Sequence, residues 1–338
     1  MTRKRIILHF TTMVLLTIAI TFDAAAQKEG QSLRFEGKSG AGKGKHIVFV
    51  SGDEAYRSEE ALPLLAKILS EHHGFTCTVL FPIDKTSGTI NPNVLDNIPG
   101  LEVLGEADLM VIFTRFRELP DEQMKYIDEY TMLGKPVVGL RTSTHAFRYV
   151  KNPSSPYAKY SFDSKAKGWE QGYGKQVLGE NWVSHHGTTG EGTRALVNAM
   201  VAKHAILRGV KDIWTTTDVY GIRDIQGDET VLLYGVCTKG MNPSSPADFG
   251  KGSMPVAWVK DHTNEAGNTG RVFTTTLGAS IDLKSEDLRR LLVNGCYWAL
   301  GMDALIPEKS NVTIDNKFNP TMWGMDEFKK GVKPADLR

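Results

Sequence analysis

The sequence predicts an α/β fold built on a mostly parallel sheet covered on both faces, and three observations carry that expectation. Residues 47–50 (Ile-Val-Phe-Val) are apolar throughout rather than alternating, as a central strand buried on both sides requires. From residue 46 to 140, short apolar runs alternate with amphipathic stretches, the pattern of strands joined by right-handed helical crossovers. Gly and Pro stand between these segments, where helices start and stop.

Each element follows from local chemistry. After the first strand, Ser58-Glu59-Glu60 supply a cap and acids that suit a helix N-terminus. Pro63 suits a first turn, so a regular helix is expected from there to about His73, with Gly74 ending it. Residues 76–81 and 109–113 read as the second and third strands. Pro120-Asp121-Glu122 opens a helix whose Met124, Ile127, Tyr130 and Leu133 share one apolar face before Gly134 stops it, and residues 136–140 read as the fourth strand. Residues 148–192 combine Pro153, Pro156 and several Gly with Tyr149, Tyr157, Tyr160, Phe162, Trp169, Tyr173 and Trp182 and show little periodicity. Such a long aromatic-rich loop is either a lid or a surface excursion anchored by its rings. Residues 194–203 are expected as a helix. Strand-like runs at 219–222, 231–236, 255–259 and 271–275 follow with few helices between them, so added antiparallel strands are expected. Residues 285–300 close the domain as an amphipathic helix with Gly301 at its end, and the tail to residue 338 should wrap the surface.

Composition narrows the class. The 338 residues include 40 Lys+Arg against 39 Asp+Glu, leaving no basic surplus to neutralise a phosphate backbone, so no nucleic-acid partner is expected. Arg3, Lys4 and Arg5 precede an apolar run over residues 6–22, and Ala24-Ala25-Ala26 meets Gln27, the layout of a secretory signal peptide over residues 1–26. Its polar interruptions at His9, Thr11, Thr12, Thr17 and Thr21 and its small-residue cleavage site favour removal over anchoring. The mature protein is then periplasmic or secreted, with no membrane attachment after cleavage. Residues 27–44 are expected as a flexible leader, 45–301 as the domain and 302–338 as the packed tail. Within the leader, residues 37–43 nearly spell a phosphate loop, but Gly44 stands where a hydroxyl must hold magnesium and the run precedes the first strand. Nucleotide binding is therefore rejected. Cys77, Cys237 and Cys296 lie in apolar segments without CxxC spacing and are expected as three buried thiols.

In parallel sheets ligands sit beyond the carboxyl ends of the strands, so the loops after Val50, Phe113 and Leu140 are where chemistry is expected. The first, residues 51–57 (Ser-Gly-Asp-Glu-Ala-Tyr-Arg), offers Asp53 and Tyr56 for hydroxyl recognition, with helix capping as the other use of its acids. The run after the fourth strand holds Arg141, Ser143 and His145 at a strand-to-helix elbow. A Ser nucleophile there prefers Gly on both flanks, whereas Arg141 and His145 occupy those positions. His145 as proton carrier and Arg141 as oxyanion clamp fit better, against the alternative of a buried, hydrogen-bonded pair. Trp182-Val-Ser-His185-His186-Gly sets two imidazoles side by side, one of which should enter the pocket. A metal would need Asp53, His145 or Asp218 gathered by folding, with no HExxH-like spacing in sight, so no metal or other cofactor is expected.

Several segments together resemble the ThuA-like, or trehalose-utilisation, family. They are Lys45-His-Ile-Val-Phe-Val, the Gly-Leu-Arg-Thr-Ser-Thr-His-Ala-Phe elbow, His204-Ala-Ile-Leu-Arg-Gly, Asp218-Val-Tyr220, Pro255-Val-Ala-Trp and Gly270-Arg-Val-Phe-Thr-Thr-Thr-Leu-Gly. The resemblance spans residues 45 to 301. It implies a flavodoxin-like, doubly wound fold of the class I glutamine amidotransferase-like superfamily, with the nucleophilic Cys missing, so ammonia transfer from glutamine is not expected. Two departures stand out: Arg141 and Ala279 occupy positions where many members look like Gly-Ile-His and Leu-Gly-His.

The resulting expectation is an exported protein that processes a small-molecule saccharide or keto-sugar by acid/base chemistry of isomerase, lyase or hydrolase type. His145 and Arg141 are the catalytic pair, while Asp53, Tyr56, Ser143, Trp169, Trp182, His185, His186 and Asp218 contact the sugar. A non-catalytic saccharide-binding protein is the alternative, a Ser143-dependent hydrolase a weaker one, and an oligomer is compatible with either.

Overall fold

In the computed structural model, which describes residues 30–223, 225 and 227–338, one ten-stranded mixed sheet organises the chain. The expected signal peptide lies outside the described residues. The strands are β1 (Ser32–Phe35), β2 (His46–Gly52), β3 (Thr76–Leu80), β4 (Leu109–Thr114), β5 (Val137–Leu140), β7 (Thr193–Val197), β8 (Ile213–Thr215), β10 (Thr230–Cys237), β11 (Ser253–Thr263) and β12 (Thr269–Thr275), in the spatial order β1-β3-β2-β4-β5-β12-β11-β10-β7-β8. The run β3-β2-β4-β5-β12 is parallel. β1 adds antiparallel at one edge, and β11, β10, β7 and β8 continue antiparallel at the other. A separate two-stranded ribbon pairs β6 (Trp182–His185) with β9 (Tyr220–Ile222).

The period-2 geometry of a strand sorts β2 onto two cores. Ile47 and Phe49 pack with Leu62, Leu65 and Leu69 of helix α1 (Ser58–His73) and with Leu288, Leu291 and Leu292 of helix α4 (Glu286–Ala299). Val48 and Val50 face the other way, onto Met124, Ile127 and Tyr130 of helix α2 (Asp121–Met132). Tyr149, Tyr160, Trp169 and Tyr173 belong to this second core, and Tyr173 lies in the short helix α3 (Gly172–Gln176). Those loop aromatics therefore anchor their segment. All three cysteines are free and buried.

Three expectations change. α1 begins at Ser58, five residues before Pro63, because the Ser58 hydroxyl ties the helix start to Ser51 and to the N–H groups of Gly52 and Asp53. The stretch read as a helix over 194–203 is instead β7 followed by a single turn at Ala199–Val201. Its alanines and leucine suit a helix, but Thr193 and Ala195 turn inward and both edges find strand partners, so tertiary pairing overrides propensity. The leader is not loose throughout: β1 pairs with β3, and Gly42 lies against the Phe75 ring so closely that a Cβ would sit 2.4 Å from it. The tail contacts the loop after β2, with the Gly324 N–H donating to the Ala55 carbonyl at 2.8 Å.

Candidate functional site

The loops after β2, β4 and β5 each contain a non-glycine residue in left-handed backbone conformation: Arg57 (φ 62°), Phe116 (φ 49°) and Arg141 (φ 44°). Such conformations cost about 1–3 kcal/mol each and persist only where the surroundings hold them. Arg141 is the first residue of the turn Arg141–His145 that follows β5, the strand-to-helix elbow foreseen from the sequence.

What holds Arg141 is a closed set of partners. It is fully buried, and its guanidinium donates to the Thr276 carbonyl at 2.7 Å, the Asp218 carbonyl at 2.9 Å and Asp218 Oδ1 at 2.9 Å. The Tyr220 ring lies 3.7 Å and the Tyr56 ring 4.3 Å from the guanidinium carbon. Burial works against the charge, but Tyr220, Tyr56 and Asp218 outweigh it and raise the group above its usual range. Asp218 Oδ2 is 2.6 Å from His185 Nδ1. Burial alone would raise the Asp218 pKa; the His185 hydrogen bond and Arg141 lower it, so the carboxylate stays ionised. An ionised carboxylate only accepts, which makes Nδ1 the donor and leaves Nε2 as the ring nitrogen with no partner among the described residues. The His185 side chain is 52% exposed.

His145 has a different environment. It is 3% exposed inside a cluster of rings, with centroids 5.0 Å from Trp182, 5.1 Å from Phe116, 5.9 Å from Tyr220 and 6.5 Å from Phe162. Burial first, then Arg115, Arg141 and His185, push its pKa well below the usual histidine range. It is a neutral imidazole with Nδ1 3.2 Å from Thr144 Oγ1. This geometry does not suit the cationic half of an acid/base cycle, because the protonated form has no compensating acid.

Asp53 is fully buried and acts within the scaffold: one oxygen accepts from the N–H groups of Ala55 and Tyr56, the other from Thr142 Oγ1 at 2.5 Å. It thereby ties the first loop to the elbow. Ser143 is also fully buried, its hydroxyl within hydrogen-bond reach of the Ile112 and Leu140 carbonyls at 2.6 and 2.8 Å, so it is not poised as a nucleophile. Trp169 lies apart from this constellation. It packs edge-on against Tyr160 at 4.6 Å beneath Lys159, and its indole N–H reaches Glu265. His186 is half-buried, with its backbone N–H on the Val219 carbonyl and Nε2 buried without a partner. Folding therefore gathers Asp53, Tyr56, Arg141, His145, Trp182, His185 and Asp218. Among the described residues, no group of three or more His, Cys, Asp or Glu is placed to hold a metal.

Sequence reasoning gave no role to Tyr220, Phe116, Phe162, Arg115 or Trp323. Tyr220 stands two residues after Asp218, and the β6–β9 register sets it opposite His185. Arg115-Phe116-Arg117 follows β4, in a loop singled out by position but not read residue by residue; both arginines grip Glu54, Arg117 at 2.7 Å. Trp323 of the tail packs 6.1 Å from Tyr56. A groove of about 400 Å3 between α1 and the tail and a pocket of about 440 Å3 around Trp214 both lie outside this constellation.

Fold and site together define an α/β protein with its polar and aromatic side chains collected at the carboxyl edge of a parallel core. The family described as ThuA, trehalose utilisation, matches residues 46–299, and the chain belongs to it. Similar solved structures include a ThuA-like protein from Parabacteroides merdae ATCC 43184, at 13% identity and a TM-score of 0.48, covering 84% of this chain and 98% of that one. A ThuA-like protein from Bacteroides uniformis ATCC 8492 is similar at 12% identity and a TM-score of 0.46, covering 78% and 95%. No curated protein matches.

Proposed function

We propose that this protein processes a saccharide or keto-sugar by acid/base chemistry, with His185 as the group that moves the proton. One observation carries the reading: His185 Nδ1 is fixed on Asp218 at 2.6 Å while the ring stays half exposed, an oriented base beside open solvent. Asp218 and Arg141 are positioning residues, the first setting the tautomer and the second fixing the carboxylate. His185 Nε2 accepts the proton from a sugar hydroxyl or from the carbon beside a keto group and returns it in the second half of the cycle. Trp182, partly exposed with its ring centroid 5.7 Å from that of His185, offers an aromatic face of the kind sugars stack on, and the buried Tyr220, 5.4 Å from His185, backs it. His145, expected from the sequence as the proton carrier, supports that face as a neutral ring. The leader-like residues 1–26 favour an exported setting, periplasmic or secreted.

The test is a screen of the mature protein against disaccharides and their keto derivatives, followed by His185→Ala. Turnover should fall about 100-fold or more in the variant with the melting temperature nearly unchanged. Saccharide binding by calorimetry without any product by mass spectrometry would instead support a non-catalytic binding protein, a reading the aromatic face also accommodates. Turnover unaffected by His185→Ala sinks the assignment of the base.

A further inference from the structure

The balance of hydrogen-bonding groups in this constellation is one-sided. Both oxygens of each of its three carboxyl groups already accept: Asp53 from two backbone N–H groups and Thr142, Asp218 from Arg141 and His185, and Glu54 from Arg115 and Arg117. Beyond imidazole nitrogens, the Asn181 amide oxygen and threonine hydroxyls, the unengaged groups here are donors. Arg141 Nε and Trp182 Nε1 are buried with no partner. Arg115 donates to Glu54 through one terminal nitrogen, and among the described residues nothing accepts from the rest of its side chain. Its guanidinium lies 4.4 Å over the Phe116 ring, whose other neighbours are His145 and Phe162, and the side chain is 22% exposed. Arg148 reaches the same two rings, 5.7 Å from each, but it has an ion-pair partner in Asp163 at 3.7 Å.

A neutral sugar presents hydroxyls that both donate and accept, and a site built for it usually offers free carboxylate or carbonyl acceptors. The carboxyl oxygens of this one are spent. We propose that the saccharide taken here carries a carboxylate, as uronic and aldonic acids do, and that its anion sits on the free edge of Arg115 beside His145. The planar guanidinium suits a carboxylate in two parallel hydrogen bonds, and the ring beneath keeps it flat and partly dehydrated. The sugar body then lies toward Trp182 and His185. Arg115 is in this role a specificity-determining residue, and the inference rests on reading the constellation as a saccharide site.

Calorimetric titration of the mature protein with D-glucuronate, D-glucose and acetate tests the inference apart from the reading beneath it. Glucuronate should bind about 10- to 100-fold more tightly than glucose, more weakly at high salt, and should lose that advantage in Arg115→Gln while Arg115→Lys keeps part of it. Thermal melts of both variants exclude loss of fold. Equal binding of glucose and glucuronate overturns the carboxylate inference and leaves the saccharide reading standing. Acetate binding as tightly as glucuronate overturns the saccharide reading itself, and glucuronate affinity unchanged by Arg115→Gln overturns the assignment of Arg115.

Discussion

Glu59 offers a test of the folded chain's electrostatics that does not depend on any substrate. It lies in the first turn of α1, is buried, and neither carboxyl oxygen has a hydrogen-bond partner. Burial pushes its pKa from 4.5 up to about 8; its own backbone N–H and Arg57 pull the other way, and Glu60 and Asp53 add to the rise. The folded state thus holds a proton that the unfolded chain releases near its ordinary pKa. Below pH 4.5 both states are protonated and the group costs nothing. Between 4.5 and about 8 folding must take up a proton, so stability falls by about 1.4 kcal/mol per pH unit, reaching a total of about 5 kcal/mol above pH 8. Glu59→Gln keeps the shape and removes the titration, while Arg57, Glu60 and Asp53 stay the same in both proteins. Urea midpoints at pH 5, 7 and 9 should therefore converge near pH 5, with the variant more stable at pH 9 by several kcal/mol. A variant whose stability runs parallel to the wild type across this range would refute the reasoning.

Arg141→Met keeps much of the volume but leaves Asp218 buried beside an uncharged side chain, and a loss of about 3–5 kcal/mol in denaturant unfolding is expected. A loss under about 1 kcal/mol would mean that Arg141 does not secure the carboxylate. Ser143 should resist fluorophosphonate labelling in the native protein, because its hydroxyl is buried against two carbonyls. Ser143→Ala should cost about 1–2 kcal/mol through those hydrogen bonds. Labelling at Ser143 would revive the hydrolase reading.

How much of this was legible in advance follows from the range of the forces involved. β2, β4 and β5 were readable because strands buried on both faces are apolar at every position, a local signal. The elbow was readable because strand order and a polar cluster coincide at one loop. Telling the environments of the two histidines apart, on which the proposed exchange of their roles rests, needed tertiary information. His145 and His185 look equivalent in a sequence, yet one enters a ring cluster and the other meets a carboxylate 33 positions away. The same holds for β7, whose pattern fits a helix until β8 and β10 claim its edges. Trp169 was misleading for the opposite reason: a large aromatic in a long loop is attracted to a ligand and to a core by the same surface energy, and here the core took it.

The β6–β9 ribbon explains how His185 and Trp182 flank one ring although they are three residues apart on a strand. In regular pairing, residues at an odd spacing point to opposite faces. The register between β6 and β9 shifts between Trp182 and Ser184, so the pairing runs Trp182 to Ile222 but Ser184 to Gly221 and His185 to Tyr220. An extra residue of this kind re-aims the side chains on one side of it. Trp182 and His185 consequently both reach Tyr220, at 6.3 and 5.4 Å. A Cβ at position 221 would lie 2.6 Å from Ser184 Oγ and 3.3 Å from its carbonyl oxygen, so a larger residue there would have to turn the serine hydroxyl away. The same Tyr220 lies on Arg141, so the elbow, the ribbon and His185 share a single aromatic ring. Arg141 fills the elbow with its two terminal nitrogens committed inward, and the register shift in the ribbon brings His185, the base proposed above, to the same sheet edge.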